Sequence, residues 1–191
     1  MGSGLWTLSS TGTVWNILTA TNLTLNKNTA NILLSNTTTT ARTFAGGGLT
    51  YNKLTIGGTT GTSTLTISGT NSFTEVASTK TVAHTVRFSS DQGTIGIWSI
   101  AGTSGNVVTV DSSTAGTRRT FNLTNVTSGI NFLSVKDIGV NQTDRFYVGT
   151  NSTNVSNNLN VLFTDPPAPS GNAGISFGSG LIIGNGITFS A

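Results

Sequence analysis

An apolar residue returns about every eleven positions along most of this chain, and nothing else in the sequence constrains the fold as tightly. The beat is clearest between Arg42 and Gly69, where RTFAGGG, LTYNKLTIGG and TTGTSTLTISG follow one another and bring up Phe44, Leu54 and Leu65 in turn. It continues in both directions through Leu23, Ile32, Phe73, Val86, Ile97, Val108, Phe121 and Leu133. Self-similarity at a fixed period marks chains built by stacking one small unit on the next. Within each unit the apolar residues alternate with polar ones, as in Leu54 and Ile56 or Leu65 and Ile67, which is the pattern of a strand with one buried face. Glycine, asparagine and serine separate the strands and supply the turns.

Ile32, Leu54, Val76 and Trp98 fall at intervals of 22, and Leu65, Val86 and Val108 at 21 and 22. Two strands per coil of that length satisfy the spacing, and so do three strands per coil half as long again. The expected fold is all-β, a right-handed parallel β-helix (β-solenoid) with an extended C-terminal β tail. A β-sandwich is the alternative, because strands every 8–12 residues or so also suit two packed sheets.

Composition narrows the function classes. Only 8% of the 191 residues are charged, and β-branched residues are plentiful, which is the reverse of a disordered chain. Nine basic and six acidic residues leave a net charge of +3, and of the basic ones only Arg118 and Arg119 adjoin, so no stripe suited to phosphates exists and nucleic acid is not an expected partner. The chain has no cysteine, hence no disulfide and no thiolate metal site. No apolar run approaches the length of a membrane span, and MGSGLWTLSS lacks the basic and apolar regions of a signal peptide, so neither a membrane nor an export route is expected.

Four segments follow from the pattern. Residues 1–20 hold Trp6 and Trp15 and read as a cap over the end of a stacked body or as an interface. Residues 21–164 are the solenoid body. Residues 165–171 (DPPAPSG) contain all three prolines and form a semi-rigid linker. Residues 172–191 are a β tail in which Ile175, Phe177, Ile183, Ile187 and Phe189 are candidate assembly residues, since a tethered strand adds to an available sheet edge. Trp6 and Trp15 complete the candidate interface.

Chemistry is sparse. The acids are Glu75, Asp91, Asp111, Asp137, Asp144 and Asp165; Asp91, Asp111 and Asp137 follow strands, where Asp serves as a turn residue. His84 is the single histidine and has no partner at ligand spacing. The triple glycine Gly46–Gly48 is not followed by the Lys and Ser/Thr of a phosphate loop, and reads as backbone with positive φ or close approach. No catalytic residue, cofactor or metal is expected. Tyr51, Trp98 and Tyr147 are candidates for stacking on a sugar if they lie at the surface. Outward threonines in register on every coil would suit an ice surface, but the Thr-x-Thr pattern is irregular.

Residues 106–165 carry a further set of motifs: NVVTVDSSTAGT, TFNL, INFLSVKD, the Asn-rich NSTNVSNN and VLF, with TFAGGGLTYNKL upstream. In this order they resemble the threonine-rich right-handed parallel β-helix modules of large phage and environmental-bacterial surface proteins. The chain has Arg118-Arg119-Thr120-Phe121 where those modules have a Trp strand, and lacks their closing Trp near Phe163. The resemblance implies a non-catalytic virion structural protein of a bacteriophage, located in the virion and assembled in the cytoplasm of the bacterial host. A capsid decoration or cement protein is the first reading, with the major capsid protein and copies of itself, as a trimer, for partners. A tail-fibre or tailspike segment and a carbohydrate-binding module with a glycan partner are the alternatives.

Overall fold

In the computed structural model the described residues are 1–17, 19–58, 60–141 and 146–167. Strands β1 (Leu5–Leu8), β3 (Asn31–Leu34), β5 (Thr50–Ile56), β7 (Ser72–Ser78), β9 (Thr94–Ser99), β11 (Arg119–Val126) and β13 (Ile138–Val140) form one seven-stranded sheet in that order. Strands β2 (Gly12–Asn16), β4 (Arg42–Ala45), β6 (Thr64–Ser68), β8 (His84–Phe88), β10 (Val108–Ser112), β12 (Leu133–Lys136) and β15 (Thr153–Ser156) form the other. The chain passes from one sheet to the other and back, so neighbours within a sheet are one coil apart. Every ladder between named strands is parallel.

This is a β-solenoid of about 7 turns, consistent with a right-handed parallel β-helix, the hand that parallel crossovers take almost without exception. A β-sandwich, which needs antiparallel neighbours, is ruled out by the ladders.

The register settles the coil. Ile32 lies opposite Leu54, Leu54 opposite Val76 and Val76 opposite Trp98, so the interval of 22 is one coil with two strands. On the second sheet Leu65 lies opposite Val86, but Val86 lies opposite Val110, and Val108 stacks on His84 instead. The turn before β10 is longer there and closes on itself through a bridge between Thr103 and Asn106. A slip of two residues keeps the same side chains facing inward, so the core is undisturbed. Near the C-terminal end the coil tightens, and β14 (Phe146–Tyr147) pairs with β16 (Val161–Leu162) to open a third side.

Inside, columns of like residues run along the stack. Phe44, Tyr51 and Phe73 pack together with ring centroids 5.0–5.9 Å apart, and Trp98 stacks on Phe121 at 6.1 Å with Phe146 edge-on. Rungs of a parallel sheet repeat at about 4.8 Å, close to aromatic contact distance, so each ring is covered by those of the coils beside it. Tyr51 donates its hydroxyl proton to the Gly46 carbonyl at 2.7 Å. Tyr51 and Trp98 are therefore core residues and not the sugar-stacking surface the sequence allowed; Tyr147 is half-buried.

Turns obey the same stacking. Gly47 and Gly48 adopt φ of 67° and 77°, and a side chain on Gly46 would run into Asn71. Asn71 is wholly buried; its Oδ1 accepts from Gly48 N–H at 3.0 Å, and its Nδ2 donates to Ser68 O and to Gln92 Oε1. The Thr37–Thr40 run is an exposed turn, opened by Asn36 Oδ1 accepting from Thr38 N–H at 2.8 Å.

Three substitutions separate these contributions in chemical denaturation. Phe121→Ala removes a buried ring and lowers stability by about 3–5 kcal/mol. Gly96→Ala places a Cβ 2.6 Å from the Thr74 carbonyl of the adjoining coil and is destabilising although it adds one methyl group. Thr109→Ala, on the outer face of β10, stays within about 0.5 kcal/mol of the parent.

Candidate functional site

Strands β1 and β2 form the first rung of the described body, each paired on one side only: β1 with β3 and β2 with β4. Trp6 lies opposite Ile32 and so continues an inward column, yet it is 43% exposed because nothing among the described residues stacks on it. Trp15, in the same rung, is half-buried in the aromatic stack. It is parallel to Phe44 at 6.0 Å, and its indole N–H donates to the Tyr51 hydroxyl at 3.1 Å. Trp6 meets Trp15 edge-on at 6.1 Å. The two tryptophans thus lie over the end of the core, with Trp15 held in it and Trp6 half outside. Leu5, at 59%, and Leu23 are exposed as well.

Sheet edges in soluble proteins are commonly protected by charge, proline or a bulge. No charged side chain precedes Lys27, and β1 and β2 contain no proline. A register shift between Thr13 and Trp15 irregularises β2; β1 has no such feature and runs evenly against β3. The other tail-end candidates, Ile175, Phe177, Ile183, Ile187 and Phe189, lie outside the described residues.

Charged side chains run from Lys27 to Asp165, and two ion pairs form among the described residues. On the outer faces Lys53 meets Glu75 at 2.9 Å, and Arg87 grips Asp111 through two bonds of 2.7 and 2.8 Å. Asp91 accepts from Thr120 N–H, and Asp137 from Gly116 N–H and the Asn157 amide. Each of the three strand-end aspartates has its own partners, and none of these bonds joins one to another. The outer column Thr64, Thr85, Thr109, Ser134, Thr153 is in register over five coils. The column beside it, Thr13, Thr43, Thr66, is interrupted by Arg87, Asp111 and Lys136, so no continuous double row of threonines exists.

Sequence reasoning missed one constellation, a polar corner between the sheets. Arg42, Lys80 and His84 are all buried there. The Arg42 guanidinium donates to Leu34 O at 3.1 Å and Ser63 Oγ at 3.2 Å, while its Nε has no partner. The Lys80 ammonium donates to Thr60 O at 2.9 Å. His84 Nδ1 lies 2.8 Å from Val82 O and therefore carries the proton, which leaves Nε2 to accept from Ser78 Oγ at 3.0 Å. A serine–histidine pair is thus present, but the orienting group is a carbonyl and the pair is enclosed in the corner. The one available signal was parity: Arg42 occupies the same inward slot in RTFA as Phe44.

No protein-family model, curated protein or solved structure matches this chain.

The corner sets an acid limit on stability. Burial is the main cause that lowers the His84 pKa from its ordinary 6.5; the hydrogen bond to the Val82 carbonyl opposes it, and the charges of Lys80 and then Arg42 add to the lowering. The folded state therefore holds a neutral imidazole, while the unfolded chain takes up a proton as pH falls through about 6.5. Stability is full above that value and declines below it, as pH moves toward the lowered folded pKa. Denaturation midpoints between about pH 7 and 5.5 should fall for the parent and flatten for His84→Gln, which keeps a donor and an acceptor without the charge.

Proposed function

We propose that this chain is a non-catalytic structural protein: a rigid β-solenoid spacer that joins neighbouring subunits through its first rung and its tail. The observation that carries this reading is the pair of uncharged, one-sided sheet edges at β1 and β2, with Trp6 and Leu5 exposed beside them. Such edges are templates for strand addition. The body is compatible with the same reading: among the described residues Glu75 and Asp111 are in ion pairs, and Asp91 and Asp137 accept hydrogen bonds from backbone N–H groups.

Within that class we propose a capsid decoration or cement protein of a bacteriophage virion, assembled in the host cytoplasm, with the major capsid protein as its other partner. The support is the resemblance of its threonine, glycine and asparagine-rich motifs to phage β-helix modules. A trimer is the proposed oligomer, since capsid and fibre positions commonly have three-fold symmetry and exposed β edges need covering. The glycan-binding alternative is weakened by the interior positions of Tyr51 and Trp98.

Light scattering of the full chain beside a chain ending at Asp165 tests the reading. The full chain should have about three times the 19.6 kDa of one subunit, and the shortened chain should be a folded monomer. Two folded monomers would remove the self-assembly reading.

A further inference from the structure

Each coil of this body contributes one strand to the first sheet and then one to the second, with inward apolar pairs such as Ile32 and Leu34 followed by Phe44, or Leu54 and Ile56 followed by Leu65 and Ile67. The segment beyond the proline linker has the same layout. Ile175-Ser176-Phe177 is answered by Ile187-Thr188-Phe189, with the Leu181–Ile183 run and glycines between, and no charged residue follows Asp165. Its length and composition are those of a single coil with both strands apolar on one face. A lone coil cannot bury that face, because two isolated strands have no core.

Among the described residues the first rung has no such coil on its outer side. β1 is regular from Leu5 to Leu8, and Trp6 and Leu8 present the inward columns that Ile32 and Leu34 continue. β2 presents Trp15. Neither the edge strands nor the segment carries a charged side chain, so no side-chain charge guards the edge.

Resting on the structural reading above, we propose that residues 172–191 of a second copy dock on the first rung as an extra coil. Residues 175–177 pair parallel to β1, and residues 187–189 pair parallel to β2. Ile175 and Phe177 cover Trp6, and Ile187 and Phe189 cover the β2 side over Trp15.

Length selects a second copy over the same chain. The described chain ends at Pro167 in the last coil, where Thr164 O accepts from Gly149 N–H. The first rung lies at the other end of a seven-strand stack, on the order of 30 Å away at about 4.8 Å per strand. The eight residue steps from Pro167 to Ile175 span at most about 29 Å when fully extended. That leaves no slack for turning back around the body. A neighbour's first rung can be placed within reach, and such a contact between unlike surfaces propagates from copy to copy until it closes.

The chain has no cysteine, so a disulfide can be introduced without background. Thr7 is an exposed residue of β1 between Trp6 and Leu8, and Ser176 is its counterpart between Ile175 and Phe177. Strands paired in parallel bring such residues within disulfide range. The full chain carrying Thr7→Cys and Ser176→Cys, mildly oxidised and run on a non-reducing gel, should convert most chains to covalent multimers. A full chain with Thr13→Cys and Thr188→Cys should do the same through the β2 edge. A bond formed within single chains, or multimers no more abundant than for Thr109→Cys with Ser176→Cys, would overturn the proposal. Light scattering of the same samples separates the two failures. An oligomer lacking both bonds discards this docking mode and leaves assembly standing, whereas a monomer lacking both removes the two together.

Discussion

Everything in this molecule depends on one constraint: parallel strands of successive coils lie about 4.8 Å apart, so each inward side chain must fit against the residue one coil before and one coil after. The backbone ladder fixes the spacing and the side chains have to accept it. Flat rings do so well, which accounts for the run from Trp15 through Phe44, Tyr51 and Phe73. Small turns do so only where a glycine or a carbonyl-binding asparagine allows the approach, as at Gly46 and Asn71. Charge is tolerated outside, where Lys53 and Glu75 or Arg87 and Asp111 meet across one ladder step.

The same constraint explains the cost of a polar residue in an inward slot. Arg42 and His84 occupy such slots, and they are held by carbonyls and hydroxyls: Leu34, Ser78 and Val82 of their own coils and Ser63 of the next coil. No ion pair among the described residues compensates Arg42 or Lys80. Hydrogen bonds satisfy most of the donors but not the charge, so the corner favours a neutral imidazole and makes the body sensitive to acid.

A stack has ends, and the ends differ from the middle. In the middle every strand edge is paired and every ring covered; at the first rung half of each is missing. The distribution of charged side chains follows this division, with none before Lys27 and none after Asp165. A solenoid that stays single would be expected to place charge or proline at such an edge. The first rung has neither in β1 or β2, which sets it apart from the middle coils.

The coil was legible in the sequence because strand alternation and stacking both leave a period. Ile32, Leu54, Val76 and Trp98 could be placed in one column from their spacing alone, and the structure puts them there. The choice between two and three strands per coil was not legible, since the spacing fits both and only hydrogen-bond partners distinguish them. Val108 was assigned one column wrongly for the same reason: a longer turn before β10 shifts the register by two residues without changing the pattern of apolar and polar. Trp98 and Tyr51 could have faced either way by composition, and only the fold put them inside. The corner of Arg42, Ser78, Lys80 and His84 was not legible because Arg42 comes from a different coil than the Ser78–His84 segment it meets. By itself the sequence determined an all-β stacked body, its period and its uncharged ends, because these follow from local alternation and residue type. The tertiary structure alone decided which residues share a column and where the buried cations lie, because those depend on contacts between residues far apart in the chain.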